Sequence, residues 1–422
     1  MTHQGPAPGP LTGLRILDLS RILAGPTCTQ LFGDLGADVI KVERPGAGDD
    51  TRHWGPPYVR DADGADTTES AYYLCANRNK RSVTIDFSKP AGAALVCDLL
   101  AHCDVLIENL RVGALAGYGL GYDDLRERFP GLVYCSISGF GQDGPYSDRG
   151  GYGVVCEAVS GLREITGDPD RPPPRVATSM ADYIAGLYGA FGAMMAIYAR
   201  THTGRGQVVD SSLYEGSYSF MEPHVPVFQQ LGIIAERAGP LLPGNAPNSI
   251  YPTRDGRYVL LAAASNAVFQ RLTEAMGRPE LMQDPRFASA VARAENQVAC
   301  DAEVAAWTAT LDLTEAEAAL DAAKVPAARI YTVEDIFQDP HYKARDMLVD
   351  VQDPVLGPVT VTGVVPKLSE SPGTIRWAGR DIGADTAAVL AGELGLDGAS
   401  IEKLARDGIV YGENLPTEEE NS

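Results

Sequence analysis

The chain has few of the residues that build metal sites and disulfide frameworks. It contains seven cysteines in 422 residues, an odd number with no Cys-x-x-Cys pair, so neither a disulfide framework nor a zinc knuckle is indicated. None of the six histidines forms a His-x-x-x-His pair, the spacing that places two ligands on one helical face. We therefore expect no metal site.

Long apolar runs and positive charge are also scarce. The uninterrupted apolar stretches are shorter than the roughly 18 to 20 residues that span a bilayer, and the start Met1–Pro6 lacks the pattern of a secretory signal. The formal net charge of -21 disfavours nucleic acids and anionic membranes as partners, because both require a large basic surface. These absences predict a cytoplasmic location, with no nucleic-acid and no membrane partner.

Common catalytic motifs are missing as well. The sequence has no G-x-S-x-G elbow, no P-loop and no cysteine in a Cys–His–Asn frame. A literal G-x-G-x-x-G occurs at Gly139–Gly144, but the loop residues Pro145–Gly151 follow it. A dinucleotide-binding loop runs straight into a helix whose N-terminus holds the pyrophosphate, so we do not expect a nicotinamide or flavin cofactor.

Short apolar runs alternate with helical stretches, which is typical of a parallel α/β sheet. Helices are predicted at Thr27–Gly36, Pro90–His102, Asp123–Arg128 and Ser179–Arg200. The predicted strands are rich in Val, Ile and Leu, and they are Arg15–Leu19, Asp38–Val42, Ser82–Asp86, Asp104–Glu108, Leu132–Ile137 and Gln207–Asp210.

The texture of the sequence changes near residue 240. The stretch Gly239–Pro247 has the composition of a linker, and Asp255-Gly256 predicts a hairpin between Ser249–Tyr251 and Arg257–Leu261. Alanine-rich helices follow. The sequence therefore predicts a second, smaller domain.

A single carboxylate opens the longest predicted helix. Asp182 is flanked by the small residues Ala181, Ala185 and Gly186, which leave space beside it, and the unpaired N–H groups in the first turn of a helix favour negative charge. This position suits an acyl-transfer nucleophile. It is also a common position for an acidic residue that merely complements the helix dipole, and the local sequence leaves both interpretations open.

Basic and amide residues cluster near the predicted carboxyl ends of the early strands, where parallel sheets hold their ligands. They are Lys41, Arg44, Arg52, Asn77–Arg81, Asn109 and Arg111. Guanidinium groups match phosphate oxygens, so the cluster would suit a ligand with several phosphates. A solvated surface with isolated ion pairs is the alternative.

The chain also carries an ordered set of longer motifs, namely Leu11–Pro26, Leu35–Asp49, Asn77–Ser82, Glu108–Arg111, Gly119–Tyr122, Ser138–Pro145, Ala181–Gly186 and Thr203–Gln207. This set resembles the family III CoA-transferases, also called the CaiB/BaiF family, over nearly the whole chain. Two stretches, Glu43–Tyr58 and Tyr134–Ser138, look most like succinate–hydroxymethylglutarate CoA-transferases and similar enzymes that act on dicarboxylates.

The resemblance implies an α/β fold with a Rossmann-like parallel-sheet large domain, a smaller α+β middle domain, and a homodimer whose two chains interlock like rings. By this matching, residues 1–220 form the large CoA-binding domain and residues 365–422 complete it. Residues 221–248 are expected to be a linker, residues 249–345 the small domain, and residues 346–364 a return linker.

The resemblance also places the catalytic aspartate at Asp182. It places the CoA contacts at Ile22, Ala24, Arg44, Asn109, Leu110 and Arg111. The substrate would be a CoA thioester, with no tightly bound cofactor. As in the family, Asp182 would form a mixed anhydride with the acyl group and then an aspartyl-CoA thioester. An ordinary carboxylate is ionised at neutral pH and needs no partner base, which accounts for the absence of a catalytic histidine. Donors for the oxyanion would come from the helix start or from Gly139–Gly144.

The favoured hypothesis is transfer of CoA from succinyl-CoA, or a related dicarboxylyl-CoA, to another dicarboxylic acid. A basic side chain would hold the distal carboxylate, and the substrate-binding candidates are Arg52, Arg78, Arg149 and Tyr152. Two alternatives stay open. The α-methylacyl-CoA racemases of this family need a histidine where this chain has Gly151-Tyr152-Gly153, and tyrosine is a poor proton shuttle at neutral pH. A non-catalytic acyl-CoA-binding homologue would keep the fold without the chemistry.

Overall fold

The computed structural model describes residues 9–413, 415 and 416. The chain forms two compact units. Of the described residues, those within 1–162, 176–222 and 341–422 belong to the larger unit, and those within 163–175 and 223–340 belong to the smaller unit. The smaller unit is therefore inserted into the sequence of the larger one.

The strands of the described residues fall into a six-stranded sheet, a three-stranded sheet and two hairpins. In chain order they are β1 Arg15–Asp18, β2 Asp38–Glu43, β3 Tyr58–Arg60, β4 Asp66–Ser70, β5 Lys80–Thr84, β6 Val105–Glu108, β7 Val133–Ser138, β8 Val208–Ser212, β9 Asn248–Pro252, β10 Tyr258–Ala262, β11 Ala327–Arg329, β12 Leu348–Asp353 and β13 Gly357–Thr362.

The helices range from one turn to 24 residues in length. In chain order they are α1 Ala24–Asp34, α2 Ala71–Asn77, α3 Pro90–Leu100, α4 Tyr122–Leu125, α5 Gly153–Val159, α6 Met180–Thr203, α7 Leu213–Tyr218, α8 His224–Leu231, α9 Asn266–Ala275, α10 Ala290–Glu295, α11 Gln297–Thr308, α12 Leu313–Ala322, α13 Val333–Gln338, α14 Pro340–Ala344, α15 Thr386–Leu394 and α16 Gly398–Arg406.

The larger unit is built on one parallel sheet with the strand order β5-β2-β1-β6-β7-β8. All six strands predicted from the sequence form and join this sheet, so the expected parallel α/β class is confirmed. Alternate residues of each strand face opposite sides, as a pleated strand requires. Ile16 therefore packs in one core cluster and Leu17 in the other.

Helices cover both faces of this sheet. On one face α1 and α6 enclose a core that includes Cys28, Ile137 and Ala185. On the other face α3 packs with the two C-terminal helices, α15 and α16, around Leu99 and Leu390. The C-terminal segment thus supplies one layer of a domain whose sheet was complete by residue 212.

Helix α6 begins at Met180 and ends at Thr203, where Gly204 takes the left-handed conformation that closes helices. Within the part of the chain that the structure describes, α6 is the helix that is long and apolar enough to cross a membrane. Helices in the core of a protein have the same length and composition, and residues of α6 such as Ala185, Gly189 and Ala193 are buried in the protein.

The smaller unit contains the antiparallel sheet β11-β10-β9 and the helices α8 to α13. The predicted hairpin is present, with Gly256 at a positive φ of 74° in its turn. Two segments join this unit that the sequence did not assign to it. Residues 163–175 are tied to it by a bond from the Gly239 N–H to the Gly167 carbonyl (2.9 Å) and by an ion pair between Arg237 and Glu164 (2.9 Å). Of residues 221–248, which were expected to be a linker, residues 223–248 belong to this unit and include helix α8.

Residues 346–364, expected to be a return linker, form the hairpin β12–β13 of the larger unit. The hairpin buries Val351 and Leu356 in a small cluster with Tyr73 and Leu74. Arg78 adds a polar tie, because its guanidinium pairs with Asp34 (2.6 Å) and also donates to the Thr362 carbonyl. Apolar burial and this ion pair together explain why the segment is ordered structure.

Replacing Arg78 with methionine tests this tie. The Asp34 carboxylate is 2% exposed and would keep only the Asn79 amide as a donor among its present side-chain partners. Removing one partner of a buried ion pair typically costs about 3 to 5 kcal/mol, and we expect a loss of that size in the free energy of unfolding, measured by urea denaturation. The double variant Arg78→Met/Asp34→Leu should recover most of the loss. A loss below about 1 kcal/mol in the single variant would show that the pair does not hold the hairpin.

Candidate active site

A cavity of about 430 Å³ lies at the carboxyl ends of the central strands of the larger unit. Its walls come from the residues that follow β1, β6, β7 and β8. The chain runs from β1 outward in one direction to β2 and β5, and then returns to place β6 on the other side of β1. Such a reversal of strand order opens a crevice where parallel sheets bind ligands.

Most of the residues proposed from the sequence meet in this one cavity. They lie far apart in the chain and now share a lining, and they are Ile22, Ala24, Asn109, Leu110, Arg111, Arg149, Tyr152 and Asp182. Arg44, Arg52 and Arg78 do not line it. The structure therefore joins the predicted nucleophile to five of the six predicted CoA contacts.

Close packing of α6 on α1 brings Asp182 to the cavity. A side chain at Gly186 would place its Cβ 2.7 Å from the Ala24 carbonyl oxygen, and one at Gly189 would meet Ile137 at 2.9 Å. The contact of Gly186 with a backbone oxygen requires glycine, while a side chain at Gly189 would have to displace the end of the Ile137 side chain. Asp182 lies one helical turn before Gly186, so the same contact that seats the helix sets the carboxylate beside the end of β1.

The Asp182 carboxylate also contacts the backbone of a second helix. A Cβ added at Gly153, the first residue of α5, would lie 2.2 Å from Asp182 Oδ2. Cys156 follows on the same helix, and burial together with the Asp182 charge raises the pKa of its thiol to about 12. The thiol therefore stays protonated beside the carboxylate and does not compete with it as a nucleophile.

The segment before α5 folds back over the end of β7 through two glycines. A Cβ on Gly139 would come within 2.5 Å of the Gly151 Cα, so the two backbones touch where neither residue carries a side chain. This contact turns Arg149 and Tyr152 toward the cavity. The G-x-G-x-x-G pattern that includes Gly139 thus serves a loop-on-strand contact, in agreement with its interpretation as a loop.

Two amides of that glycine-rich loop are already engaged. The Gly141 N–H donates to Ser138 Oγ (3.0 Å) and the Gln142 N–H donates to the Asp210 carboxylate (2.8 Å). Gly139 itself lines the cavity with Asp182. The assignment of the oxyanion donors to the helix start at Asp182 or to Gly139–Gly144 stays a prediction.

The loop after β6 is held from within the sheet by Glu108, which is 6% exposed. Its Oε2 accepts the Leu110 N–H at 2.8 Å, and burial raises the pKa of the Glu108 carboxyl to about 7. The neighbouring Asn109 bonds both backbone groups of Arg21, accepting from its N–H (2.8 Å) and donating to its carbonyl (2.6 Å). The loops after β1 and β6 therefore form one joined wall.

The three predicted arginines outside the cavity each hold a carboxylate of the protein. Arg52 binds Glu43 (2.8 Å) with both groups buried, and Arg78 binds Asp34 as described above. Arg44 is exposed and pairs with Asp50 at 2.7 Å. Asp50 also pairs with Arg21 (3.2 Å), a cavity residue.

Arg111 and Arg149 differ from these residues. Both side chains are exposed on the cavity lining. Within residues 9–413, 415 and 416, neither guanidinium pairs with a carboxylate of the protein. Arg149 stacks on the ring of Tyr146, 3.6 Å from its centroid, and this cation–π contact restricts the orientation of the guanidinium without neutralising its charge. The cavity thus offers two cationic groups to an anionic ligand.

Several lining residues were not predicted, among them Arg21, Asp148 and Leu213. Arg21 and Leu213 follow the carboxyl ends of β1 and β8, and that position was the available signal. Among the described residues no group of three or more His, Cys, Asp or Glu side chains is arranged to hold a metal ion.

Comparison with known proteins identifies the family. The model of CoA-transferase family III matches residues 11–386. The chain belongs to CoA-transferase family III. The motif-based recognition of the family is therefore confirmed.

Named relatives of this family III chain include two from Chloroflexus aurantiacus. It is 44% identical over 396 residues to a succinyl-CoA–D-citramalate CoA-transferase, covering 94% of this chain and 96% of that protein. It is 37% identical over 398 residues to a succinyl-CoA–L-malate CoA-transferase beta subunit, with the same two coverages. A solved CaiB/BaiF family structure from Brucella suis superposes with a TM-score of 0.81 at 37% identity, covering 92% of this chain and all of that one.

Replacing Gly153 with alanine tests the contact with Asp182, the predicted nucleophile. Alanine favours a helix relative to glycine by roughly 1 kcal/mol, so the fold should not be weakened, but the new Cβ must displace the Asp182 carboxylate. Because misplacement of a reacting group by about 1 Å can cost on the order of a hundredfold in rate, we expect kcat for CoA transfer to fall by about 10- to 100-fold. The matched control is Gly392→Ala, a helical glycine with open space around it. Equal kcat in the two variants would contradict a direct contact.

Proposed function

We propose that this protein transfers CoA from succinyl-CoA, or a related dicarboxylyl-CoA, to a second dicarboxylic acid, with Asp182 as the residue that carries CoA in between. The observation that carries the proposal is the shared lining: Asp182, five predicted CoA contacts and an unpaired arginine surround one cavity at the strand-order reversal. The names of the relatives, which act on citramalate and malate with succinyl-CoA, support the acid class.

The proposed reaction has two exchanges at one carboxylate. An Asp182 oxygen attacks the thioester carbonyl carbon of the donor, the C–S bond breaks, and CoA leaves as a thiolate while a mixed anhydride forms. The thiolate then attacks the Asp182 carbonyl carbon, the donor acid leaves as a carboxylate, and an aspartyl-CoA thioester remains. The acceptor carboxylate repeats both steps in reverse, which regenerates Asp182.

Arg149 is the proposed partner of the distal carboxylate. Of the three arginines proposed from the sequence, it lines the cavity with Asp182, while Arg52 and Arg78 bind buried carboxylates of the protein. A guanidinium fork matches a carboxylate with two parallel bonds. We assign Arg111 to the phosphates of CoA, together with Arg21 and Arg44, which both pair with Asp50.

The residues at the racemase position support transfer. Tyr152 stands where a racemase would need histidine, and it is 69% exposed. The next residue, Gly153, has no side chain, and a Cβ there would lie 2.2 Å from Asp182 Oδ2. The pair thus supplies no second acid–base group with which Asp182 could exchange an α-proton on two faces of a substrate.

The proposal includes the interlocked homodimer in the cytoplasm that was expected from the sequence. Large apolar side chains are exposed along one face of α6 at helical spacing, namely Tyr183, Leu187, Phe191, Met195 and Tyr198. A continuous exposed apolar stripe of this kind is typical of a surface that another chain covers. One relative is named as a beta subunit, so a paired arrangement of two different chains is the contrasting case.

Replacing Asp182 with alanine should abolish transfer while CoA still binds. Loss of the nucleophile is expected to lower kcat by on the order of a thousandfold or more, measured with succinyl-CoA and a panel of dicarboxylic acids. The Kd for CoA, measured by calorimetry, should change less than about threefold, because the other lining residues remain. In the unmodified protein, mass spectrometry after incubation with succinyl-CoA should find CoA on the peptide that contains Asp182, and hydroxylamine should release that CoA and leave a hydroxamate on the same side chain. Transfer that survives the substitution, or CoA trapped elsewhere, would refute this assignment.

Replacing Arg149 with methionine should impair the acid and not the CoA moiety. Loss of a charge-assisted pair is worth about 1.5 to 3 kcal/mol, so we expect KM for the dicarboxylic acceptor to rise by about 10- to 100-fold. The KM for a monocarboxylic acceptor should stay the same. Arg126→Met is a control, because Arg126 is an exposed arginine outside the cavity. Equal losses with both acid classes would mean that Arg149 does not read the distal carboxylate.

A further inference from the structure

The loop Ser20–Ile22, which leads from β1 into the cavity wall, is fixed at nearly every backbone group. The Ser20 N–H donates to Asp18 (2.9 Å), and Lys41 Nζ donates to the Ser20 carbonyl (2.9 Å). Asn109 bonds both backbone groups of Arg21. The Ile22 N–H donates to Asp49, 3.2 Å from Oδ1.

The conformation held by these bonds is an unfavourable one. Ile22 has φ of 71°, in the left-handed region that β-branched residues rarely adopt. Such a conformation persists only when the surroundings impose it, and it is concentrated at functional sites. Ile22 and the following Ala24 both line the cavity.

The groups that impose it form a buried network of alternating charges. Lys41 pairs with Asp49 at 2.8 Å, with both side chains 1% exposed. Lys80 pairs with Asp18 at 3.2 Å, with side chains 1% and 0% exposed, and also donates to the Pro26 carbonyl (2.8 Å). Four buried charges are costly to fold, and the proposed transfer chemistry uses none of them directly.

We propose that Asp18, Lys41, Asp49 and Lys80 are positioning residues that hold the Ser20–Ile22 loop in the conformation that binds the acyl-CoA. The inference rests on the proposed function only in taking a CoA derivative as the ligand. The network acts through the backbone of the loop and touches no reacting atom.

The network has one member that titrates near neutral pH. Burial lowers the pKa of Lys80 to about 8, against the opposing charge of Asp18. The other titratable groups around Lys80 are Lys41 and Asp49, Cys28 and Asp34 on α1, and Cys75 on α2. Burial acts to lower the pKa of Lys41, but the negative charge of Asp49 and its neighbouring carboxylates outweighs burial, so the pKa of Lys41 is raised. Lys80 therefore loses its charge first as the pH rises, which leaves Asp18 without its cation.

The first experiment removes one buried pair in a shape-conserving way. The variant Lys41→Met/Asp49→Leu deletes both charges together, an exchange that buried pairs often tolerate without loss of stability. The ligand is the thioether S-ethyl-CoA, which can neither exchange nor ionise at sulfur, and calorimetry gives its Kd. We expect Kd, measured well below Tm, to rise about tenfold or more, while Tm falls by a few degrees because the Ser20 carbonyl and the Ile22 N–H lose their partners. The control pair Arg329→Met/Glu317→Leu removes an ion pair of the smaller unit and should leave Kd unchanged.

A rescue distinguishes positioning from a general structural role. Glycine adopts positive φ without strain, so Ile22→Gly should recover part of the affinity in the Lys41→Met/Asp49→Leu background while weakening binding in the unmodified protein. Additive losses, or an unchanged Kd in the pair variant, would overturn the proposal.

The unmodified protein provides a measurement that does not depend on how the variants fold. We expect its Kd for S-ethyl-CoA to rise between pH 7 and pH 9 with a midpoint near 8, as Lys80 becomes neutral. The pKa of Lys80 is lower in the folded than in the unfolded protein, so near this pKa the folded protein binds fewer protons than the unfolded one. The free energy of unfolding therefore increases as the pH rises. Weaker binding without a parallel fall in Tm is thus the signature of the loop, and a flat Kd over this range contradicts the inference. Absence of binding in the unmodified protein overturns both this inference and the proposed function, while binding without CoA transfer overturns only the latter.

Discussion

The contact between α6 and α1 determines where the Asp182 carboxylate, the proposed nucleophile, lies. Gly186 allows the backbone of α6 to approach the Ala24 carbonyl of α1 more closely than a side chain would permit, and Gly189 leaves room for the Ile137 side chain of β7. Asp182 lies on the same helix, and Ala24, the first residue of α1, lines the same cavity as Asp182. Small residues therefore act here as a positioning device, because they convert helix packing into the placement of a functional group at the edge of the sheet.

Charge in this protein is organised on two levels. The chain as a whole carries a formal net charge of -21, which repels an anionic ligand at long range. At the cavity, Arg111 and Arg149 stay free of carboxylate partners within the described residues, while buried arginines such as Arg52 satisfy carboxylates in the interior. A local cationic surface in an acidic protein favours selective capture of a polyanion over general attraction.

The sequence predicted the sheet well because β1, β2, β6 and β7 are buried on both faces and are rich in apolar residues. The longest helix and the hairpin at Gly256 followed from periodicity and turn chemistry. The division of the chain was harder. Residues 163–175 join the smaller unit through contacts with Arg237 and Gly239, and no local pattern signals a partner some seventy residues away. The hairpin β12–β13 was missed as part of the larger unit for the same reason, since its order depends on Tyr73 and Arg78.

The site showed the same limit. The family motifs predicted that Asp182, Asn109 and Arg111 belong to one site, and in the structure all three line one cavity. Arginines at strand ends could not be ranked from the sequence, because whether a guanidinium is free depends on carboxylates such as Glu43 and Asp34 that fold beside it. The contact between Gly153 and Asp182 had no signal in the sequence at all.

The discontinuous larger unit has a consequence for synthesis of the chain. Ser82 in the edge strand β5 gives its N–H to Asp385, a partner 303 positions further along, and α15 packs beside that strand. A ribosome that has just completed β5 must therefore produce some three hundred more residues before the helix that covers this strand exists. During this interval Val83 and Leu99 lack part of their native apolar surroundings. The nascent protein therefore exposes hydrophobic surface of the kind that chaperones bind.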